Sequence, residues 1–202
     1  MAKSRSEKKQ ETRDKILKAA YALFEEQGYD GTSYGEIARR AGVGYGTIYF
    51  HFRTKENLLL EHYLELIYGQ VARLNKMIKR EANPLKLALD MINMVWNENA
   101  AMPIRKLTVF FSYRWVSSKR DYDRALEALN AILAIVGVAL QKAKDEGFLG
   151  KQVDVPLSLD LMRAAFLHAL QDARFGKKER TEAKQRFDEQ TAYLLGIGSP
   201  KT

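Results

Sequence analysis

The stretch Thr32–Phe52 constrains this chain more tightly than any other part of it. Ser33 and Glu36 are spaced S-x-x-E, the reciprocal capping pair that starts a helix at Tyr34. Ile37, Ala41 and later Ile48 supply a buried face, and Ala38 is small where two helices must cross closely. Gly42 stands where the chain leaves that helix and a positive φ is cheap only for glycine. A second short helix is expected over 45–51. Helix, tight turn and helix make a helix-turn-helix, whose second helix enters the major groove of duplex DNA. Helices this short are marginal alone, so a preceding helix must pack across them. The segment from about Ser6 to Gln27 fits, with Ile16, Ala20, Leu23 and Phe24 on one face and Leu17 beside them. Gly28 is expected to end it in the left-handed conformation.

The remainder also reads as helix. Only four prolines occur, strand-like alternation is scarce, and Pro84, Pro103 and Pro156 each precede a helical apolar pattern. Further helices are predicted over 55–80, 85–99, 104–117, 122–146, 157–175 and 179–195. The expectation is an all-α chain of about nine helices. Residues 1–54 would form a three-helix DNA-binding domain, and 55–202 a helical ligand-binding and dimerisation domain. No cysteine is present, so disulfide frameworks and thiolate metal sites are excluded. No apolar run is expected to approach the roughly 20 residues that span a bilayer, and the first residues hold no apolar leader. A cytoplasmic protein is expected, with no membrane partner. The net charge of +8 admits nucleic acid as a partner without requiring it. The basic arm (Lys3, Arg5, Lys8, Lys9) and the run from Arg174 to Arg186 concentrate that charge, and a solvated helix face accounts for either equally well.

Rival chemistries find little footing. Gly42-Val43-Gly44-Tyr45-Gly46 imitates a nucleotide-binding glycine loop, but that chemistry needs a strand before it and a long helix after it. His51, His62 and His168 are the only histidines, no two at i, i+4, and no acidic cluster completes a metal site. No enzyme activity, cofactor or metal is expected.

With its flanks, the stretch resembles the tetracycline-repressor (TetR) family of bacterial regulators. The likeness runs from Ile16 to Leu59: F-x-x-x-G (Phe24 to Gly28), then T-S-x-x-x-I-A-x-x-A-G-V, then G-T-I-Y-x-H-F-x-x-K-E-x-L-L. It implies that Tyr45, Thr47 and His51 face the groove or flanking phosphates and that Tyr49 bonds a phosphate. Ser33 and Lys55 would hold the backbone at helix N-termini. A lysine in the first turn of a helix opposes the macrodipole by roughly 0.3–1 kcal/mol, which a phosphate would compensate. Gly44 stands where the family often has a capping serine. With Gly46 nearby, the recognition helix is expected to be loose before DNA binds.

The family dimerises through its last two helices. Here these offer Leu159, Met162, Phe166, Leu167 and Leu170, then Phe187, Thr191, Leu194 and Leu195. The chain's own core is the alternative use for both stripes, since Leu161, Ala165 and His168 lie on another side. The middle helices carry Met91, Met94, Trp96, Met102, Phe110, Phe111, Tyr113 and Trp115, which could line an effector pocket or fill a core. The resemblance implies a ligand-responsive DNA-binding regulator. It would be a repressor that binds a pseudo-palindromic operator as a homodimer and is released by a small apolar or amphipathic molecule.

Overall fold

The structure, a computed structural model, describes residues 4–78, 81–101, 118–174 and 179–198. Among the described residues there are eight α-helices and no strand. They are α1 (Arg5–Gln27), α2 (Tyr34–Ala41), α3 (Tyr45–His51), α4 (Lys55–Met77), α5 (Pro84–Ala100), α6 (Lys119–Asp145), α7 (Val155–Arg174) and α8 (Arg180–Leu194). The helix expected over 104–117 lies outside the described residues. The chain divides into two compact units, residues 1–66 with 105–126, and residues 67–104 with 127–202.

In the first unit, α1 begins at Arg5 because Ser4 caps it. The Ser4 hydroxyl accepts the Glu7 N–H (3.2 Å), and the Glu7 carboxylate accepts the Ser4 N–H (2.6 Å). Gly28 ends α1 with φ 82° and ψ 166°. The positive φ requires glycine as expected, but the extended ψ departs from the left-handed helical conformation, so the chain runs straight out of α1. Ile16, Leu17, Ala20, Leu23 and Phe24 of α1 pack with Ile37 and Ala38 of α2, Ile48 of α3, Phe52, and Leu58 and Leu59 of α4. This one shared core makes two helices of about two turns each stable. Glu61 of α4 fastens its edge by pairing with Arg13 of α1 (2.6 Å) and Arg124 of α6 (2.8 Å). Burial pushes the Glu61 carboxyl up, but hydrogen bonds from Arg124 and Arg13 outweigh it and hold the group ionised below its ordinary value.

In the second unit, α5 is capped by the Asn83 side chain, which accepts the Lys86 N–H (2.9 Å), with Pro84 in the first turn. Asp154 caps α7 through the Leu157 N–H (2.9 Å), which starts that helix two residues before the expected position. α7 and α8 pack along one another, and the Ser158 hydroxyl bonds the Leu194 carbonyl (3.3 Å). Trp96 of α5 stacks on Phe187 of α8 (centroids 5.3 Å apart, planes 16° apart) and meets Phe166 of α7 edge-on at 5.8 Å.

That stack corrects the expected use of α7 and α8 as a dimer seam. Met162, Leu170, Phe187 and Thr191, proposed as dimer contacts, are buried in the chain's own core. Phe166 is spent on the aromatic stack. Leu159 lies against α6, where a Cβ on Gly137 would stand 2.9 Å from the Leu159 Cδ1. Leu194 is half-buried. Of the residues expected to line a pocket, Met91 and Trp96 are buried and Met94 is half-buried. Phe110, Phe111 and Trp115 lie outside the described residues. α6 is the one described helix long and apolar enough, by length and composition, to cross a membrane. Here it is a core helix, with Ala128, Ile132, Val136 and Leu140 buried but Val138 exposed.

Candidate nucleic-acid interface

Local chemistry sets the geometry of α2 and α3. The Ser33 hydroxyl accepts the Glu36 N–H (3.3 Å), and the Glu36 carboxylate accepts the Ser33 N–H (2.8 Å). These bonds hold the Glu36 carboxyl below its ordinary value. Gly42 closes α2 in the left-handed conformation (φ 66°, ψ 36°), and the Val43 N–H returns to the Ala38 carbonyl (3.0 Å). α3 then starts at Tyr45. Its N-cap, Gly44, offers no side-chain acceptor, as the sequence implied. Tyr34 braces both ends of α3. Its hydroxyl donates to the Phe52 carbonyl (3.1 Å), and its ring meets Tyr45 edge-on at 6.1 Å.

Ile48 is the anchor of α3, fully buried. Around it, Tyr45, Tyr49 and Phe50 are 60%, 57% and 72% exposed. Thr47 and His51 are half-buried on one flank, while Ser33 is exposed at the start of α2. The structure therefore gathers Tyr45, Thr47, Tyr49 and His51 on one short helix. Phe50 was missed by the sequence reading, although a helical wheel through Ile48 puts it diametrically opposite the anchor. His51 sits between the rings of Phe50 (5.4 Å) and Phe52 (6.3 Å). Burial, then the charges of Lys9 and Arg13, lower its pKa.

Lys55, expected at a phosphate, makes its bonds within the chain. Its ammonium donates to the carbonyls of Tyr29 and Thr32 (2.9 Å each) and lies 4.3 Å from the Tyr29 ring centroid. The Tyr29 hydroxyl in turn donates to Glu56 (2.5 Å). The charge at the start of α4 is thus compensated within the chain, and the lysine locks the 28–33 loop to that helix. No phosphate is needed to balance the charge at Lys55.

Comparison with known proteins bears on this interface first. Residues 16–62 match the family model of bacterial regulatory proteins, tetR family. The HTH-type transcriptional regulator AcrR of Shigella flexneri is 49% identical over 61 residues, 30% of this chain and 28% of that protein. The fatty acid metabolism regulator protein of Bacillus subtilis is 37% identical over 75 residues, 37% of this chain and 39% of that one. The chain thus spans about a quarter to two-fifths of the length of the curated relatives it matches first. The fold likeness reaches further. FadR of Thermus thermophilus, a transcriptional repressor solved with lauroyl-CoA, superposes with a TM-score of 0.71 at 18% identity. That match covers 94% of this chain and 97% of that one. Residues 16–62 are thus similar to the bacterial regulatory proteins of the tetR family, and the helical architecture that continues from them is similar to the fold of that solved repressor.

Proposed function

We propose that the protein is a ligand-responsive transcription regulator that acts in the cytoplasm and binds duplex DNA as a homodimer through α3. The carrying observation is the outward face of α3. Three exposed aromatic side chains stand on a seven-residue helix that Ile48 anchors in the core. Such a face, in a helix-turn-helix whose relatives regulate transcription, fits the major groove. On this reading residues 1–54 bind DNA, and 55–202 bind effector and dimerise. Tyr45, Tyr49 and Phe50 reach base edges or phosphates, with Thr47 and His51 on the flank.

A second copy is assigned to the side of α7 that its own core does not use. Leu157, Leu161, Ala164 and His168 recur at i, i+4, i+7 and i+11, all exposed, and Tyr193 of α8 is the most exposed large apolar side chain among the described residues. A stripe of this spacing is a helix–helix seam, and two half-sites require two copies. The effector is a small apolar or amphipathic molecule whose binding releases the operator. Since a FadR of this fold was solved with lauroyl-CoA, a long-chain acyl-CoA is the first compound to titrate.

A gel shift on a duplex selected from a random pool tests the core of the proposal. Wild type should bind a pseudo-palindrome, and Tyr45→Ala/Tyr49→Ala should lose that preference. Undiminished selective binding by the double variant would remove α3 from the interface. In sedimentation, Leu161→Glu should give monomers while Leu194→Glu does not abolish the dimer.

A further inference from the structure

α1 begins well before its core does. The Ser4 cap starts the helix at Arg5, yet its first buried residue is Ile16. About three turns stand outside the core, steadied by Gln10 bonding Asp14 (2.8 Å) and Thr12 bonding the Lys8 carbonyl (2.8 Å). At about 100° per residue, Arg5, Lys9 and Arg13 share a sector of about 80°, the same sector that Ile16, Ala20 and Leu23 occupy further along. The stripe that is apolar from Ile16 onward is therefore cationic before it, and it points past the edge of the core on the α3 side.

Contacts fix where this row lies. The Arg13 guanidinium pairs with Glu61 (2.6 Å) and covers the Phe52 ring at 5.2 Å. One turn earlier, the Lys9 ammonium is 5.4 Å from the ring centroid of Phe50, the most exposed aromatic of α3. Arg5 comes one turn earlier still. Both Arg5 and Lys9 are exposed, and neither pairs with an acidic side chain among the described residues. Cations in the first turns of a helix oppose its macrodipole, and Glu7 is the one acidic residue in the first turn. Holding such a row helical is unfavourable in isolation and favourable against a polyanion.

We propose that Arg5 and Lys9 form a phosphate-binding ledge that extends the α3 interface along the backbone of the duplex beyond the bases α3 reads. This rests on the DNA-binding reading above. Phosphate is the fitting target because long, unpaired cationic side chains recognise charge rather than a donor–acceptor pattern.

The test is the salt dependence of binding, by anisotropy on the pool-selected duplex, with folding checked by thermal melting. For Arg5→Ala/Lys9→Ala, the slope of log K against log salt should become shallower by about 0.9 per lost contact, roughly 1.8 per protomer. Sequence preference should stay unchanged. Lys18→Ala, which removes an exposed charge from the opposite side of α1, should leave the slope alone. Ser4→Ala/Glu7→Gln, which frays the ledge without removing a cation, should also weaken binding. An unchanged slope in the double variant, an equal loss in Lys18→Ala, or a changed sequence preference would overturn the ledge while leaving α3 as the reader. Wild type that selects no duplex would overturn the ledge and the DNA-binding reading together.

Discussion

Lys55 places a positive charge at the positive end of a helix, and the carbonyls of Tyr29 and Thr32 balance it. Removing the ammonium orphans two half-buried acceptors and frees the loop before α2. Hydrogen bonds to a charged group contribute about 1.5–3 kcal/mol, and partial exposure puts this pair toward the lower end. Lys55→Ala should therefore lower the urea midpoint of unfolding as well as DNA affinity. Lost affinity with an unchanged midpoint would restore the phosphate role. His51 gives a second single-residue prediction. Its folded pKa is depressed, first by burial and then by Lys9 and Arg13, whereas the unfolded chain titrates near 6.5. Below about 6.5 the unfolded state takes up a proton that the native state refuses, so the free protein should lose stability as pH falls. A nearby phosphate reverses the sign, because it favours the imidazolium. Operator affinity should then rise as pH falls from 8 to 6, and His51→Gln should flatten that rise. A flat wild-type profile would place His51 away from the backbone.

At the scale of elements, α3 is a seven-residue helix with glycine at its N-cap and again at Gly46. A Cβ at Gly46 would meet nothing within 4 Å, and one at Gly44 would make only ordinary contact with the Thr47 hydroxyl at 3.7 Å. Neither glycine is demanded by the fold of the free protein, so both keep the helix soft. Gly46→Ala should stabilise α3 by roughly 1 kcal/mol and raise amide-exchange protection across 48–52 about fivefold. Gly44→Ser should add a few tenths of a kcal/mol. Unchanged protection in Gly46→Ala would mean that Ile48 and Tyr34 already hold the helix fully. These features were legible in advance because capping boxes and glycine turns are local signals. Ser4 and Glu7 carry the same S-x-x-E spacing and were passed over because no apolar run follows them until Ile16. The two faces of α7 were not legible. Leu159, Met162 and Phe166 compete with Leu157, Leu161 and Ala164, and the choice is made by Trp96 and Gly137 on other helices.

At the scale of the whole molecule, α4 is the segment through which an effector signal would travel. It is one continuous helix whose residues 55–66 belong to the first unit and 67–77 to the second. Half-sites on one face of DNA lie about 34–36 Å apart, so a few ångströms of displacement of α3 would break simultaneous engagement. An effector achieves this only if its affinity differs between the two states. Gly69 is the soft point of α4. Glycine inside a helix costs about 1 kcal/mol relative to alanine. A Cβ there would touch only the far end of Arg73 (3.4 Å), whose guanidinium pairs with Glu98 at 2.6 Å. No packing among the described residues requires the glycine, and bending is the use that its replacement tests. Gly69→Ala should raise thermal stability and leave the effector-free operator affinity nearly unchanged. The effector concentration needed for release should rise several-fold, since about 1 kcal/mol added against bending shifts the equilibrium about fivefold. Titrating the effector, with long-chain acyl-CoA as the first candidate tried, against the preformed operator complex of both proteins measures this. Identical release curves, with the expected gain in stability, would show that α4 moves without bending at Gly69.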